Sequence, residues 1–150
     1  MSAILQLVAG HKVESFEAGE IVIEQGAASG PLWVLVHGEV EILRDNIRVA
    51  KASAPGNIFG EMSVLLGGGH HVTIRTLKAS SFVLVENPRR FLESSPEASL
   101  HLATLLAARL NTLNKYLVDL KQQYEGHDHI GMVDEVLSSL MHHQPREPGR

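Results

Sequence analysis

Short apolar runs separated by turn residues dominate the first 85 positions of the chain. Runs of four to six residues that are rich in Val, Ile and Leu and bounded by Gly, Pro, Asp or Asn are typical of β-strands. The strands predicted in this way lie at residues 13–16, 21–25, 32–36, 40–43, 47–52, 72–76 and 81–85. Many short strands with closely spaced turns predict an antiparallel barrel or jelly roll.

Helical patterns flank these strands. A short N-terminal helix is predicted at residues 3–9 and ends at Gly10, and Pro88 begins another that ends at Ser94. Ser95 as N-cap and Pro96 at the first helical position start a long C-terminal helix that extends to Tyr124. Residues 132–141 predict a last amphipathic helix, and the polar tail at 144–150 is predicted to be disordered.

The long helix carries an apolar seam with alternating spacings of mostly four and three residues. The seam consists of Leu102, Leu106, Leu110, Leu113, Leu117, Leu120 and Tyr124. Such spacing is required for a coiled coil or a helix-pair interface, and it predicts a homodimer formed through this helix. The alternative is that the seam packs on the β-roll of its own chain.

The central stretch at residues 55–76 combines three features of a ligand site. Gly60 and Glu61 follow a short apolar step, three glycines precede His70 and His71, and a strand comes directly after them. Glycines let backbone N–H groups approach a ligand, and successive N–H groups in a turn can surround an anion. A neighbouring carboxylate can accept hydrogen bonds from sugar hydroxyls. The stretch therefore predicts a short acidic turn and a flexible loop that bind a ligand with both a sugar and a phosphate.

Composition narrows the classes of function. The chain has 150 residues, a formal net charge of −4 and no cysteine. An acidic chain gives no support to a nucleic-acid backbone as partner, and the lack of cysteine excludes disulfides and thiolate chemistry. Neither a signal peptide nor a transmembrane span is recognisable, so a cytoplasmic protein without membrane contact is expected.

The order of elements resembles the cyclic-nucleotide-binding domain of catabolite activator proteins, of regulatory subunits of cAMP-dependent kinase and of nucleotide-gated channels. The resemblance is carried by FEAGEIVIEQG at residues 16–26, LWVLVHGEVEI at 32–42, PGNIFGEMSVLLG at 55–67 and the helical end. It implies an eight-stranded β-roll flanked by a short N-terminal and a long C-terminal helix. It also implies a nucleotide between the phosphate-binding segment and the long helix.

The resemblance also assigns roles to residues. Glu61 corresponds to the acid that holds the ribose 2′-hydroxyl, and Gly60, Met62 and Ser63 correspond to backbone donors around the cyclic phosphate. The full set of expected ligand-binding residues is Phe59, Gly60, Glu61, Met62, Ser63, His70, His71, Val72 and Thr73, with Asn114 and Leu117 as a lid over the base.

His70 is the main departure from the family pattern. The family has an arginine nine residues after the acid, followed by a small residue, whereas these two positions hold His70 and His71 here. Arginine is permanently charged and can grip a phosphate with two hydrogen bonds, whereas histidine is only partly charged near neutral pH. Arg75 is a conceivable substitute, but on strand alternation it is predicted to be a solvated residue.

Two hypotheses of function follow, with residues 1–125 as the binding domain and 126–150 as a short helix and tail. In the first, a non-enzymatic sensor binds a cyclic nucleotide, cAMP or cGMP, and signals through its long helix to an unidentified protein partner. In the alternative, the domain is a nucleotide-independent module for dimerisation or docking. A metal enzyme is disfavoured because adjacent histidines in a strand point to opposite faces, and the segment after Tyr124 is too short for a DNA-reading helix pair. No tightly bound cofactor and no metal are expected.

Overall fold

The computed structural model describes residues 2–123 and 130–142, and their side chains except those of residues 130–133 and 137. It divides the chain into two compact units, Met1–Ser99 and Leu100–Arg150. The boundary expected between residues 125 and 126 falls outside the described residues and stays a prediction.

The first unit contains two four-stranded antiparallel sheets. The strands are β1 (Lys12–Phe16), β2 (Ile21–Ile23), β3 (Leu32–His37), β4 (Val40–Arg44), β5 (Ile47–Ala52), β6 (Ile58–Phe59), β7 (Thr73–Thr76) and β8 (Ser80–Val85). One sheet has the order β1-β8-β3-β6 and the other has the order β2-β7-β4-β5. The predicted β-roll is confirmed, because each predicted run forms a strand and neighbouring strands pair antiparallel.

Alternation along the strands fills the space between the sheets. Phe82 is fully buried, and its ring centroid lies 5.8 Å from that of Phe16, 5.9 Å from that of Trp33 and 6.3 Å from that of Phe59. Tilted and edge-to-face arrangements at these distances are favourable for aromatic rings. The buried core cluster comprises Ile23, Trp33, Leu35, Val40, Phe59, Ile74, Phe82 and Leu84. This core fixes the end of β6, from which the candidate site begins.

The prediction of a turn directly after Gly60 is wrong. Residues Glu61–Leu66 form a helix, α2, after the first helix α1 at Ala3–Leu7. The apolar run behind Glu61 consists of residues that a helix accommodates, and the left-handed Gly60 turns the chain out of β6 into that helix. The strand predicted at 21–25 is also shorter than expected. It ends at Ile23, and the Gln25 N–H donates to the Thr73 side-chain oxygen at 2.9 Å instead of continuing the backbone ladder with β7.

The remaining helices agree with the pattern. α3 spans Pro88–Ser94, α4 spans Pro96–Gln123 and α5 spans Ile130–His142. The Ala98 N–H donates to Ser95 Oγ at 3.3 Å, which confirms the predicted N-cap of α4. The predicted end of α4 at Tyr124 and the disorder predicted for residues 144–150 fall outside the described residues and stay predictions. Within the described part of the chain, no helix combines the length and apolarity that crossing a membrane requires.

Candidate functional site

The candidate site begins at the junction of β6 and α2. Gly60 has φ of 88°, in the left-handed region, and a Cβ at this position would lie 3.1 Å from the Pro31 carbonyl oxygen. Both the conformation and the close contact require glycine here. The first N–H groups of α2 have no acceptor within the helix, because no helical turn precedes them to supply carbonyl groups.

Two polar side chains of α2 are buried beside this junction. Glu61 is 8% exposed and Ser63 is 3% exposed. The Ser63 hydroxyl donates to the Gly60 carbonyl at 3.1 Å, and its Oγ lies 3.2 Å from Nδ1 of His70. The hydroxyl and Nδ1 of His70 share a hydrogen bond whose direction is set by the tautomer of the ring.

The backbone of His70 is held from the other side by a turn at residues 26 and 27. The Gly26 N–H donates to the His70 carbonyl at 2.8 Å, and the His70 N–H donates to the Ala27 carbonyl at 2.9 Å. A Cβ on Gly69 would lie 2.9 Å from the Gly26 carbonyl oxygen, so only glycine permits this approach. The turn at Gly26 and Ala27 therefore positions His70, a role that the sequence pattern did not reveal.

A small cavity of about 30 Å³ lies between α2 and the histidine pair. It is lined by Ile23, Gly60, Glu61, Met62, Ser63, His70, His71 and Val72. Burial lowers the pKa of His70 below the usual histidine value, and the neighbouring His71 lowers it further. His70 is therefore mainly neutral at pH 7. Nε2 of His71 is buried and has no hydrogen-bond partner.

The other predicted site residues lie in different surroundings. Phe59 is 5% exposed and its side chain belongs to the core cluster. Thr73 Oγ1 accepts a hydrogen bond from the Gln25 N–H at 2.9 Å, which joins β7 to the end of β2. Asn114 and Leu117 lie on α4 in the second unit. The ligand-binding roles of all four stay predictions.

Arg75 is engaged away from this cavity. Glu41 is 2% exposed, and its carboxylate accepts hydrogen bonds from Nε of Arg75 at 2.8 Å and from Nε of Arg48 at 2.9 Å. Nη2 of each arginine contacts the same carboxylate. Hydrogen bonds from Arg48 and then from Arg75 hold the pKa of Glu41 below its usual value. Arg75 thus links β7 to β4 through Glu41, and no contact among the described residues supports the hypothesis that it substitutes for the family arginine.

The described histidines do not gather into a metal site. In residues 2–123 and 130–142, no group of three or more His, Asp or Glu side chains is placed to hold a metal ion. Three further histidines, at positions 127, 129 and 143, lie outside these ranges.

Comparison with known proteins gives a family match for the β-roll and solved structures with a similar fold. The family profile described as the cyclic nucleotide-binding domain matches residues 13–93, which is more than half of the chain. The solved structure of the Thermus thermophilus catabolite activator protein superposes with a TM-score of 0.65 and 19% identity, over 92% of this chain and 82% of that chain.

Two curated relatives come from different kinds of protein. The potassium channel AKT1 of Oryza sativa subsp. indica is 29% identical over 140 residues, which cover 91% of this chain and 14% of the channel. A CRP-like cAMP-activated global transcriptional regulator of Mycobacterium tuberculosis is 27% identical over 125 residues, or 79% of this chain and 56% of the regulator. The chain therefore spans only part of the length of each relative. By the profile match and the fold, the chain belongs to the cyclic nucleotide-binding domain family.

Proposed function

We propose that this chain is a non-enzymatic regulatory domain that binds a cyclic nucleotide, with cAMP as its main ligand. The observation that carries the proposal is the arrangement of Glu61 and Ser63, which are buried at the start of α2 and line one small cavity with His70. A carboxylate and a hydroxyl beside the backbone N–H groups at the start of α2 suit a ligand that carries both sugar hydroxyls and a phosphate, because the carboxylate can accept hydrogen bonds from the sugar and successive N–H groups can surround an anion.

Each part of the site has a chemical role in this proposal. The Glu61 carboxylate accepts a hydrogen bond from the ribose 2′-hydroxyl, and the backbone N–H groups of residues 60–63 donate to the cyclic phosphate. His70 and His71 lie where the family has its arginine and the following small residue. Nε2 of His71, which is buried without a partner, is available to a ligand atom.

The cavity has to widen before a nucleotide can enter. A volume of about 30 Å³ holds roughly one or two water molecules, whereas drug-sized ligands occupy pockets of roughly 300–1,000 Å³. Met62, which is 38% exposed, and the loop of Gly67 and Gly68, whose added Cβ atoms would meet nothing within 4 Å, have space to move. We infer that the nucleotide stabilises an open arrangement of α2, because a ligand shifts an equilibrium only by its differential affinity for two states.

The signal passes, in this proposal, through α4 and a homodimer that the helix forms. Leu110 and Leu113 are 44% and 46% exposed, although both belong to an apolar seam. An exposed apolar seam with this spacing is suited to a second helix of the same kind. In this proposal, an unidentified protein partner responds to the nucleotide-dependent change in α4.

Leu113→Asp is expected to shift the protein from dimer to monomer at about 50 µM in sedimentation equilibrium, because it places a charge in an apolar helix pair. Asn111→Asp is the matched control. It adds the same charge to α4 two residues away, on an exposed position outside the seam. If Leu113→Asp stays as dimeric as Asn111→Asp, this helix is not the interface.

Two observations favour the alternative of a nucleotide-independent docking module. The cavity is small, and His70 offers no permanent charge where the family has an arginine. Under this alternative the β-roll is a scaffold, and the dimer persists with no response to nucleotide.

Hydrogen exchange in the presence and absence of 1 mM cAMP tests the location of the site. We expect slower exchange of the amides at residues 60–63 and 70–73, where the ligand accepts hydrogen bonds and excludes water. The matched control is 5′-AMP, which has the same base and ribose but an open phosphate. Equal protection by both nucleotides, or protection elsewhere only, would contradict the proposed site.

A further inference from the structure

A second and larger groove lies at the end of the β-roll, within the first unit. Its volume is about 500 Å³, which is in the range of small-molecule sites. The lining comes from the start of β1, the end of β8 and α3, and it consists of Gly10, His11, Lys12, Leu84, Glu86, Asn87, Arg90, Phe91 and Ser94. No residue is shared with the cavity beside His70.

The helix α3 presents one face to this groove. Asn87, Arg90, Phe91 and Ser94 have spacings of three, four and seven residues, which place them on the same side of a helix. The Ser94 hydroxyl donates to the Phe91 carbonyl at 3.1 Å, so it is already engaged within the helix. The Arg90 guanidinium is exposed, and in the described part of the chain it has no ion pair.

Cationic groups reach the groove from two different elements. Arg90 comes from α3, and Lys12 comes from β1, where it pairs across the sheet with Leu84 of β8. The Lys12 ammonium lies 3.1 Å from the Glu14 carboxylate but is 59% exposed, so a ligand can still approach it. Glu86 is the single carboxylate of the lining. The lining therefore has two basic side chains, Lys12 and Arg90, and one acidic side chain, Glu86, in a chain whose formal net charge is −4.

The groove also has an apolar wall. Leu84 belongs to the core cluster and is 6% exposed. The rings of His11 and Phe91 meet edge to face, with centroids 5.6 Å apart. An aromatic pair in this arrangement gives a rigid apolar surface beside the cations.

We propose that this groove is a second ligand site, which binds a small organic anion. The carboxylate or phosphate group of the ligand lies at Arg90 and Lys12, and its apolar part lies against Leu84 and Phe91. An arginine that has no ion pair is suited to this role, because its planar fork matches both kinds of anion. The site is independent of the proposed cyclic-nucleotide function and would stand if that function failed.

Titration of the full chain with benzoate, phenyl phosphate and inorganic phosphate, followed by two-dimensional amide NMR, tests this site. We expect saturable shifts of the Leu84, Glu86 and Phe91 amides with benzoate or phenyl phosphate at millimolar concentration, and weaker shifts with inorganic phosphate. Whichever aromatic anion binds more tightly identifies the preferred anionic group. Arg90→Gln should weaken that binding at least about threefold.

Arg89→Gln is the matched control. It removes the same charge from the adjacent position of α3, outside the groove, where Arg89 lies 3.4 Å from the Glu93 carboxylate. Unchanged affinity in Arg89→Gln with weakened affinity in Arg90→Gln would support the site. Equal weakening in both variants would show general charge attraction only and would overturn it. We expect binding at millimolar concentration, so the absence of saturable shifts up to about 50 mM ligand would also overturn the proposed site.

Discussion

Replacing His70 with arginine is expected to tighten cAMP binding by about ten- to a hundredfold, which corresponds to one charge-assisted contact of about 1.5–3 kcal/mol. The physical reason is that burial and the adjacent His71 keep the imidazole mainly neutral in the free protein. Arginine instead brings a permanent charge and a two-pronged donor to a backbone position already fixed by Gly26 and Ala27.

His70→Arg should also remove a pH dependence that we expect for the cAMP affinity of the wild-type protein. A bound phosphate favours the protonated imidazole, so the pKa of His70 is higher in the complex than in the free protein. The affinity gained from the protonated imidazole is therefore fully present below the pKa that His70 has in the free protein. It is lost as the pH rises through the pKa that His70 has in the complex. Glu61 and His71 are the other ionisable groups that line the cavity.

Titrations with cAMP at several pH values between about 5.5 and 8 measure this dependence. We expect the wild-type affinity to fall as the pH rises, while the affinity of His70→Arg stays nearly level. His37→Arg, at an exposed position at the end of β3, controls for the change in net charge. If His70→Arg binds no more tightly than His37→Arg, the imidazole is not at the phosphate.

Glu61→Ala is expected to weaken cAMP binding by about ten- to a hundredfold, because the variant loses a charged acceptor for the ribose hydroxyl. The direction of the effect is informative. Removing a negative charge near an anionic ligand would by electrostatics alone strengthen binding. A loss of affinity therefore indicates that the carboxylate makes a direct contact with the sugar.

Glu24→Ala is the charge-matched control for this variant. Glu24 is exposed and does not line the cavity. We expect its removal to leave the affinity unchanged or slightly increased. Binding by Glu61→Ala that is as tight as that of Glu24→Ala would exclude the ribose contact.

The strands of the fold could be predicted because their pattern is local. Apolar runs such as that at 32–36 are bounded by glycine, proline or polar residues, and the burial of Leu32, Val34 and Leu35 follows. The N-cap Ser95 and the following proline likewise carry their signal within a few positions. Such features depend little on the rest of the chain.

The helix α2 could not be separated from a turn by the same means. Its six residues are too few for a helical period to stand out, and a short apolar run fits a strand, a helix or a buried turn. What decides the outcome is Gly60, whose left-handed conformation turns the chain, and the burial of Ser63 and Glu61 in the folded protein.

The surroundings of His70 depend on contacts that are distant in sequence. The Gly26 turn and Ser63 hold the backbone and the ring of this residue, and no local pattern joins those three segments. The ion pair between Arg75 and Glu41 likewise depends on the register of β7 against β4, which places the two residues opposite each other. The motif could therefore be located from sequence, but the burial of its histidine and the contacts that position it required the structure.

Calorimetric titration of the folded wild-type chain with cAMP and with cGMP, beside Glu61→Ala, tests the central claim most directly. The account predicts saturable binding of cAMP in the micromolar range, weaker binding of cGMP, and loss of affinity in the variant. The absence of a saturable heat with either nucleotide up to millimolar concentration would contradict it and would favour a nucleotide-independent dimerisation or docking module.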